Sequence, residues 1–113
     1  MSDGHETGPQ LSRGEFGLLI LALLERREMY GYQIVAELRQ ASEGKIDLAE
    51  GTVYPALRRL ERDGLIGGHW VDVGTATPRR RYYRLTPSGE RALADGRTDW
   101  LRFKTAADAV LGG

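Results

Sequence analysis

Apolar residues recur along this chain with different spacings, and each spacing predicts a different element. Phe16, Leu18, Leu19, Ile20, Leu21, Leu23 and Leu24 occupy most of the circumference of a helix instead of one stripe. Folding should start at Leu11, and a first helix that runs from the Ser12 cap to about Arg27 should therefore be buried on two sides. One small domain rarely supplies both covers, so a subunit partner is the expected second layer. Ser12-Arg13-Gly14-Glu15 matches a capping box at the helix start, where the serine oxygen and the Glu15 carboxylate take up free amides. Glu28 to Tyr30 reads as a short turn. Gly31 to about Ser42 forms a second helix with Ile34, Val35 and Leu38 inward, stopped by Gly44. Gly51 and Thr52 open a third helix, whose residues Val53, Ala56, Leu57 and Leu60 share one face, and Gly64 ends it. Pro55 is tolerated because a missing amide in the first turn and a half costs little.

The spacing then shortens to that of strands, at about Gly68 to Val73 and Arg79 to Leu85, joined by the loop Gly74-Thr75-Ala76-Thr77-Pro78. Thr86-Pro87 caps a last helix that runs to about Leu111. Met1 to Gln10 has little to pack and reads as a disordered lead-in. The order helix, helix, helix, hairpin, helix predicts a mainly α fold with a small β-hairpin. It divides into a lead-in over 1–10, a winged helix-turn-helix unit over 11–86, and a C-terminal dimerisation helix over 87–113.

With 113 residues, 41% of them hydrophobic, the chain has room for one domain with a modest core. Cysteine is absent, which excludes disulfides, thiolate nucleophiles and cysteine-ligated zinc, and suits a reducing cytoplasm. The most apolar run, Phe16 to Leu24, is too short to cross a bilayer, and the N-terminus does not resemble a secretory signal. A cytoplasmic protein with no membrane partner is expected. His5 and His69 stand alone, and no carboxylate pair has motif spacing. Hence no catalytic residue, cofactor or metal site is expected.

The net charge is zero, but its distribution is uneven. Residues 1–57 hold five basic and nine acidic side chains, whereas 58–84 hold seven and three. A basic stripe therefore survives in the second segment. Fourteen of the sixteen basic residues are arginine, which suits bidentate phosphate and guanine contacts, although high-GC coding gives the same bias. On the third helix, Gly51, Thr52, Pro55, Arg58, Arg59 and Arg62 lie opposite the apolar face, with Tyr54 at the border. That face offers a hydroxyl, a close-approach glycine and guanidinium groups on a rod that fits a major groove. The plain alternative is a solvated face balanced by Glu61 and Asp63. On the returning strand, alternation places Arg80, Tyr82 and Arg84 on one side and Arg79, Arg81, Tyr83 and Leu85 on the other. The cluster Arg79, Arg80 and Arg81 repels itself unless an anion neutralises it, and a phosphate backbone is such an anion. An edge strand charged against aggregation is the competing reading.

Tyr30-Gly31-Tyr32-Gln33-Ile34, Gly51-Thr52-Val53-Tyr54-Pro55-Ala56-Leu57-Arg58-Arg59-Leu60-Glu61, Gly64-Leu65-Ile66 and Arg81-Tyr82-Tyr83-Arg84-Leu85-Thr86-Pro87-Ser88-Gly89 together resemble the PadR family of bacterial transcriptional regulators. The resemblance covers roughly Leu11 to Leu111. It implies a dimeric winged helix-turn-helix repressor of the family's smaller branch, with a single C-terminal helix. By the same resemblance, Thr52, Tyr54, Pro55 and Arg58 fall on the DNA-reading helix, Arg79 to Arg81 on the wing, and Tyr32 faces a phosphate from the second helix.

Leu93, Gly96, Trp100, Phe103, Ala107 and Val110 are spaced by 3, 4, 3, 4 and 3 residues, a seam suited to a partner helix. Folding back onto its own domain is the alternative. A two-fold homodimer would present two reading helices to a palindromic operator in double-stranded DNA. Across the two-fold axis Trp100, with Gly96 one turn before it to leave space, would meet its own symmetry mate, and the two indoles would form a slot for a small planar aromatic effector, with Phe16 or Phe103 as walls; a plain core position is the alternative. A winged-helix module that binds an acidic protein, without sequence-specific DNA binding, is the rival function.

Overall fold

The computed structural model describes residues 13–74 and 79–112. The lead-in, the Ser12 cap and most of the wing turn lie outside the described residues. Within them the order is α1 (Arg13–Arg26), β1 (Met29–Tyr30), α2 (Gly31–Ala41), α3 (Glu50–Arg62), β2 (Ile66–Val71), β3 (Arg80–Leu85) and α4 (Pro87–Leu111).

Helix α1 is the centre of the domain. It packs against α2, α3, β3 and the first half of α4, so Phe16, Ile20, Leu21, Leu23 and Leu24 are all buried within one subunit. This corrects the expectation that a partner is needed to cover its second side. Wrapping the other elements around one helix lets a small domain do so, and only Leu18, Leu19 and Ala22 stay half-buried. The core is completed by Ile34, Val35 and Leu38 of α2 and by Val53, Ala56, Leu57 and Leu60 of α3.

Met29 and Tyr30 were expected in a turn but form β1, which pairs antiparallel with β3 through Met29–Tyr83 and Tyr30–Tyr82. The sheet order is β1-β3-β2, so β3 is the central strand. Strand β2 pairs with β3 from Ile66–Leu85 to Val71–Arg80. It starts two residues before the predicted position, directly after the α3 stop signal.

That stop is a full C-terminal motif. Gly64, at φ 77°, donates its amide to Glu61 at 3.0 Å, and the Leu65 amide reaches the Leu60 carbonyl at 2.9 Å. Thr86 ties this corner to α4. Its hydroxyl donates to the Gly64 carbonyl at 2.7 Å and accepts the Gly89 amide at 3.0 Å, while its own amide reaches Leu65 at 3.2 Å. Gly89 is required by packing, since a Cβ there would collide with the Leu65 carbonyl oxygen and lie 2.8 Å from Leu85 Cδ1. Helix α4 thus leaves the domain from a fixed point. Its C-terminal half runs clear of the core, and the molecule extends over 58 × 35 × 23 Å.

Candidate nucleic-acid interface

Helix α3 begins at Glu50, one residue before the predicted start, and this moves Pro55 past the first turn. Position 55 then cannot donate to the Gly51 carbonyl, which is left on the outer surface. Opposite the buried face stand Gly51, Pro55, Arg58 and Arg62, of which Gly51, Arg58 and Arg62 are exposed. No atom lies within 4 Å of a Cβ built on Gly51, so the glycine leaves open surface there. Thr52 is half-buried on the flank. Arg62 pairs only loosely with Asp63, at 3.7 Å, and both side chains are largely exposed. Arg59 is half-buried on the other flank and lines the groove between α1 and α4.

Tyr54 leans from α3 onto the start of α2. Its ring fills the space that a Cβ at Gly31 would take, which explains the glycine of the Tyr-Gly-Tyr-Gln run. Burial pushes the Tyr54 hydroxyl above the usual tyrosine range, and the Glu50 carboxylate adds to the shift. The group therefore stays a protonated donor. The Tyr30 amide donates to Gln33 Oε1 at 3.1 Å and closes the first turn of α2. Tyr32, next along, is 60% exposed and points away from the core.

Alternation along β3 is as expected, but its two faces have different duties. Tyr83 is buried against the helices, where burial raises its hydroxyl pKa against the opposing pull of Arg81. Arg81 lies on this inner face and forms an ion pair with Glu61 of α3. Its guanidinium also sits 5.4 Å from the Trp70 ring centre and 5.9 Å from that of Tyr83. The expectation that the arginine cluster needs an outside anion is therefore corrected for Arg81, whose counter-charge is internal. Arg79 and Arg80 are different. Arg79 lies 5.7 Å from the Trp70 ring and Arg80 lies 4.4 Å from the Tyr30 ring, and both are exposed. No ion pair to either is found among the described residues. Trp70, 55% exposed at the outer end of β2, is a further wing residue, one that no local pattern in the chain marks. His69 faces Glu28 at 3.2 Å and stacks on Tyr82.

The seam of α4 divides at Gly96. Leu93 is 1% exposed and belongs to the domain's own core, which corrects its placement at a partner interface. Gly96 lies against Leu18, and a Cβ there would meet Leu18 Cδ1 at 2.5 Å. Beyond it Trp100, Phe103 and Val110 are exposed and Ala107 half-exposed. Trp100 and Phe103, with ring centres 5.9 Å apart, line an open groove of about 740 Å³ with Leu18, Leu21, Leu60 and Leu65. Phe16 is buried on the core side of α1 and is not among the groove residues, which corrects its assignment as a wall.

No group of histidine, cysteine or acidic side chains able to hold a metal ion occurs among the described residues. No described helix is long and apolar enough to cross a membrane.

Helices α1 to α3, with one face of α3 left open, and a small antiparallel sheet that carries a hairpin define a winged helix-turn-helix protein. A family model described as the transcriptional regulator PadR-like family matches residues 20–95, and the chain belongs to that family. Transcriptional regulator Rv3488 of Mycobacterium tuberculosis is 36% identical over 92% of this chain and 90% of its own. A PadR family transcription regulator from Clostridium difficile shares the fold with a TM-score of 0.76 at 35% identity, over 86% of this chain and 98% of that one. Bacillus subtilis PadR, solved in complex with operator DNA, aligns with a TM-score of 0.64 at 29% identity, over 75% of this chain and 46% of that one.

Proposed function

We propose that this PadR-family regulator is a repressor that binds a palindromic operator in double-stranded DNA as a homodimer and is released by a small planar aromatic effector. The observation that carries the DNA reading is the open outer face of α3, where Gly51, Arg58 and Arg62 are exposed, together with the exposure of Arg79 and Arg80 on the wing. Helix α3 enters the major groove, where Thr52 and Arg58 read base edges and Tyr54 and Pro55 shape the approach. Tyr32, Arg62, Arg79 and Arg80 contact phosphates. The likeness to a PadR solved with operator DNA supports this reading.

Dimerisation uses the apolar surface of α4 beyond Gly96. Trp100, Leu101, Phe103, Val110 and Leu111 are between 49% and 85% exposed, a large apolar surface for a lone subunit to leave in water. The groove beside Trp100 and Phe103 takes the flat effector between the two subunits, and its occupancy alters the distance between the two reading helices. A mobility-shift assay with the DNA upstream of the protein's own gene tests the function. A sequence-dependent shift that weakens steeply with salt is expected, and a protein-binding module would give none.

A further inference from the structure

The sequence places one carboxylate, Glu61, among the arginines of a helix whose open face is read here as a DNA contact. A negative charge there would repel phosphate. Glu61 instead turns to the flank of α3 and pairs with Arg81 of the wing, both side chains about one-third exposed at 32% and 30%. The guanidinium sits in a slot built to its shape. Trp70 and Tyr83 lie at its sides, and Gly68 leaves the space beneath it, since a Cβ there would stand 2.7 Å from Arg81 Cζ. The pair is thus the charged link between the C-terminal half of the reading helix and the central strand of the wing.

We infer that Glu61 and Arg81 are positioning residues, which fix the distance and angle between reading helix and wing and make no phosphate contact themselves. The inference rests on the DNA-binding reading above. A planar guanidinium that donates Nη2 to a carboxylate and is flanked by two rings is confined more closely than a flexible ammonium would be. The two charges cancel, so the pair contributes nothing to counterion release.

The test uses the full chain and a duplex that the wild-type protein selects from a random library. The readouts are affinity against salt concentration, and circular dichroism to set the folded fraction. Glu61→Gln removes a negative charge from the DNA side of the protein, so simple electrostatics predicts tighter binding. Positioning predicts the opposite, a loss of about fivefold, the scale of a partly exposed ion pair. Arg81→Lys keeps the charge and should lose a similar factor, with the salt slope unchanged. Arg80→Gln, by contrast, should lower the slope by about 0.9 per subunit. Comparing affinities at equal folded fraction separates this loss from a loss of stability. Tighter binding by Glu61→Gln, full activity of Arg81→Lys, or a slope reduced by Arg81→Gln as it is by Arg80→Gln would overturn the inference. If the wild-type chain retains no duplex from the library, the DNA-binding reading itself fails, and that outcome is distinct from the others.

Discussion

Glu25 of α1 and Arg97 of α4 face each other as a two-point pair, with Nη2 at 2.9 Å from Oε1 and Nη1 at 3.2 Å from Oε2. The pair stands one residue past Gly96, which lies against Leu18 of α1, and so bridges α1 and α4 at the edge of their packing. Its hydrogen bonds from Arg97 hold the Glu25 carboxyl below its ordinary value of 4.5. A carboxyl lowered in the folded state contributes stability that is present above that ordinary value and is lost as pH falls through the lowered one. In a carbon-detected NMR titration, Glu25 should titrate below its ordinary value of 4.5. Arg97→Ala should return it to the ordinary range, and an unchanged midpoint in that variant would show that the pair does not form in solution.

The corner at Thr86 predicts a stability effect. Thr86→Ala removes the cap of α4 and the hydroxyl bond to Gly64 together, and should lower unfolding free energy by about 1–2 kcal/mol in urea melts. Gly89→Ala should cost ~1–3 kcal/mol by overpacking against the Leu65 carbonyl. Gly51→Ala is the contrasting case. With open space around it, stability should stay within about 0.5 kcal/mol while affinity for DNA falls, because the added methyl stands on the reading face.

Tyr54 and Tyr83 both carry hydroxyl groups raised above the ordinary tyrosine value of 10.0 by burial. The folded state therefore holds their protons more firmly than the unfolded chain does. Their stabilising effect is complete below that ordinary value and is lost as pH rises beyond it. Thermal melts above pH 10 should fall more steeply for wild type than for a Tyr54→Phe, Tyr83→Phe double variant. Parallel curves would contradict the assignment.

Much of this was legible in the amino-acid sequence because it depends on local periodicity. The buried face of α3, the Gly64 stop and the Thr86-Pro87 cap all follow from residues within a turn of one another. What was missed depends on distant partners. Two residues, Met29 and Tyr30, show no period, and their pairing with β3 crosses fifty residues of chain. The apolar girth of α1 suggests a second subunit in sequence alone, because nothing local reveals that α4 packs on α1 as far as Gly96 and brings Leu93 into the core. Arg81 looked like its neighbours Arg79 and Arg80 until the fold brought Glu61 beside it. A carboxylate set among arginines on a basic helix was the available signal.

Trp100 gives the effector proposal a direct readout. A planar aromatic compound that enters the groove should change tryptophan fluorescence in wild type and in Trp70→Phe, but not in Trp100→Phe. A change that persists in Trp100→Phe and disappears in Trp70→Phe would place the compound on the wing instead. If the proposed homodimer forms and the effector acts on the distance between its reading helices, sedimentation should show the dimer constant little changed by the compound.

In the proposed complex the open face of α3 reads base sequence while the wing arginines hold phosphate. The most direct test compares Arg58→Ala and Arg80→Ala against the selected operator and a set of single-base variants of it. Arg58→Ala should lose roughly 1–3 kcal/mol and relax preference at one position in each half-site, whereas Arg80→Ala should weaken all duplexes alike and reduce the salt slope. Unaltered base preference in Arg58→Ala, with affinity intact, would contradict the account.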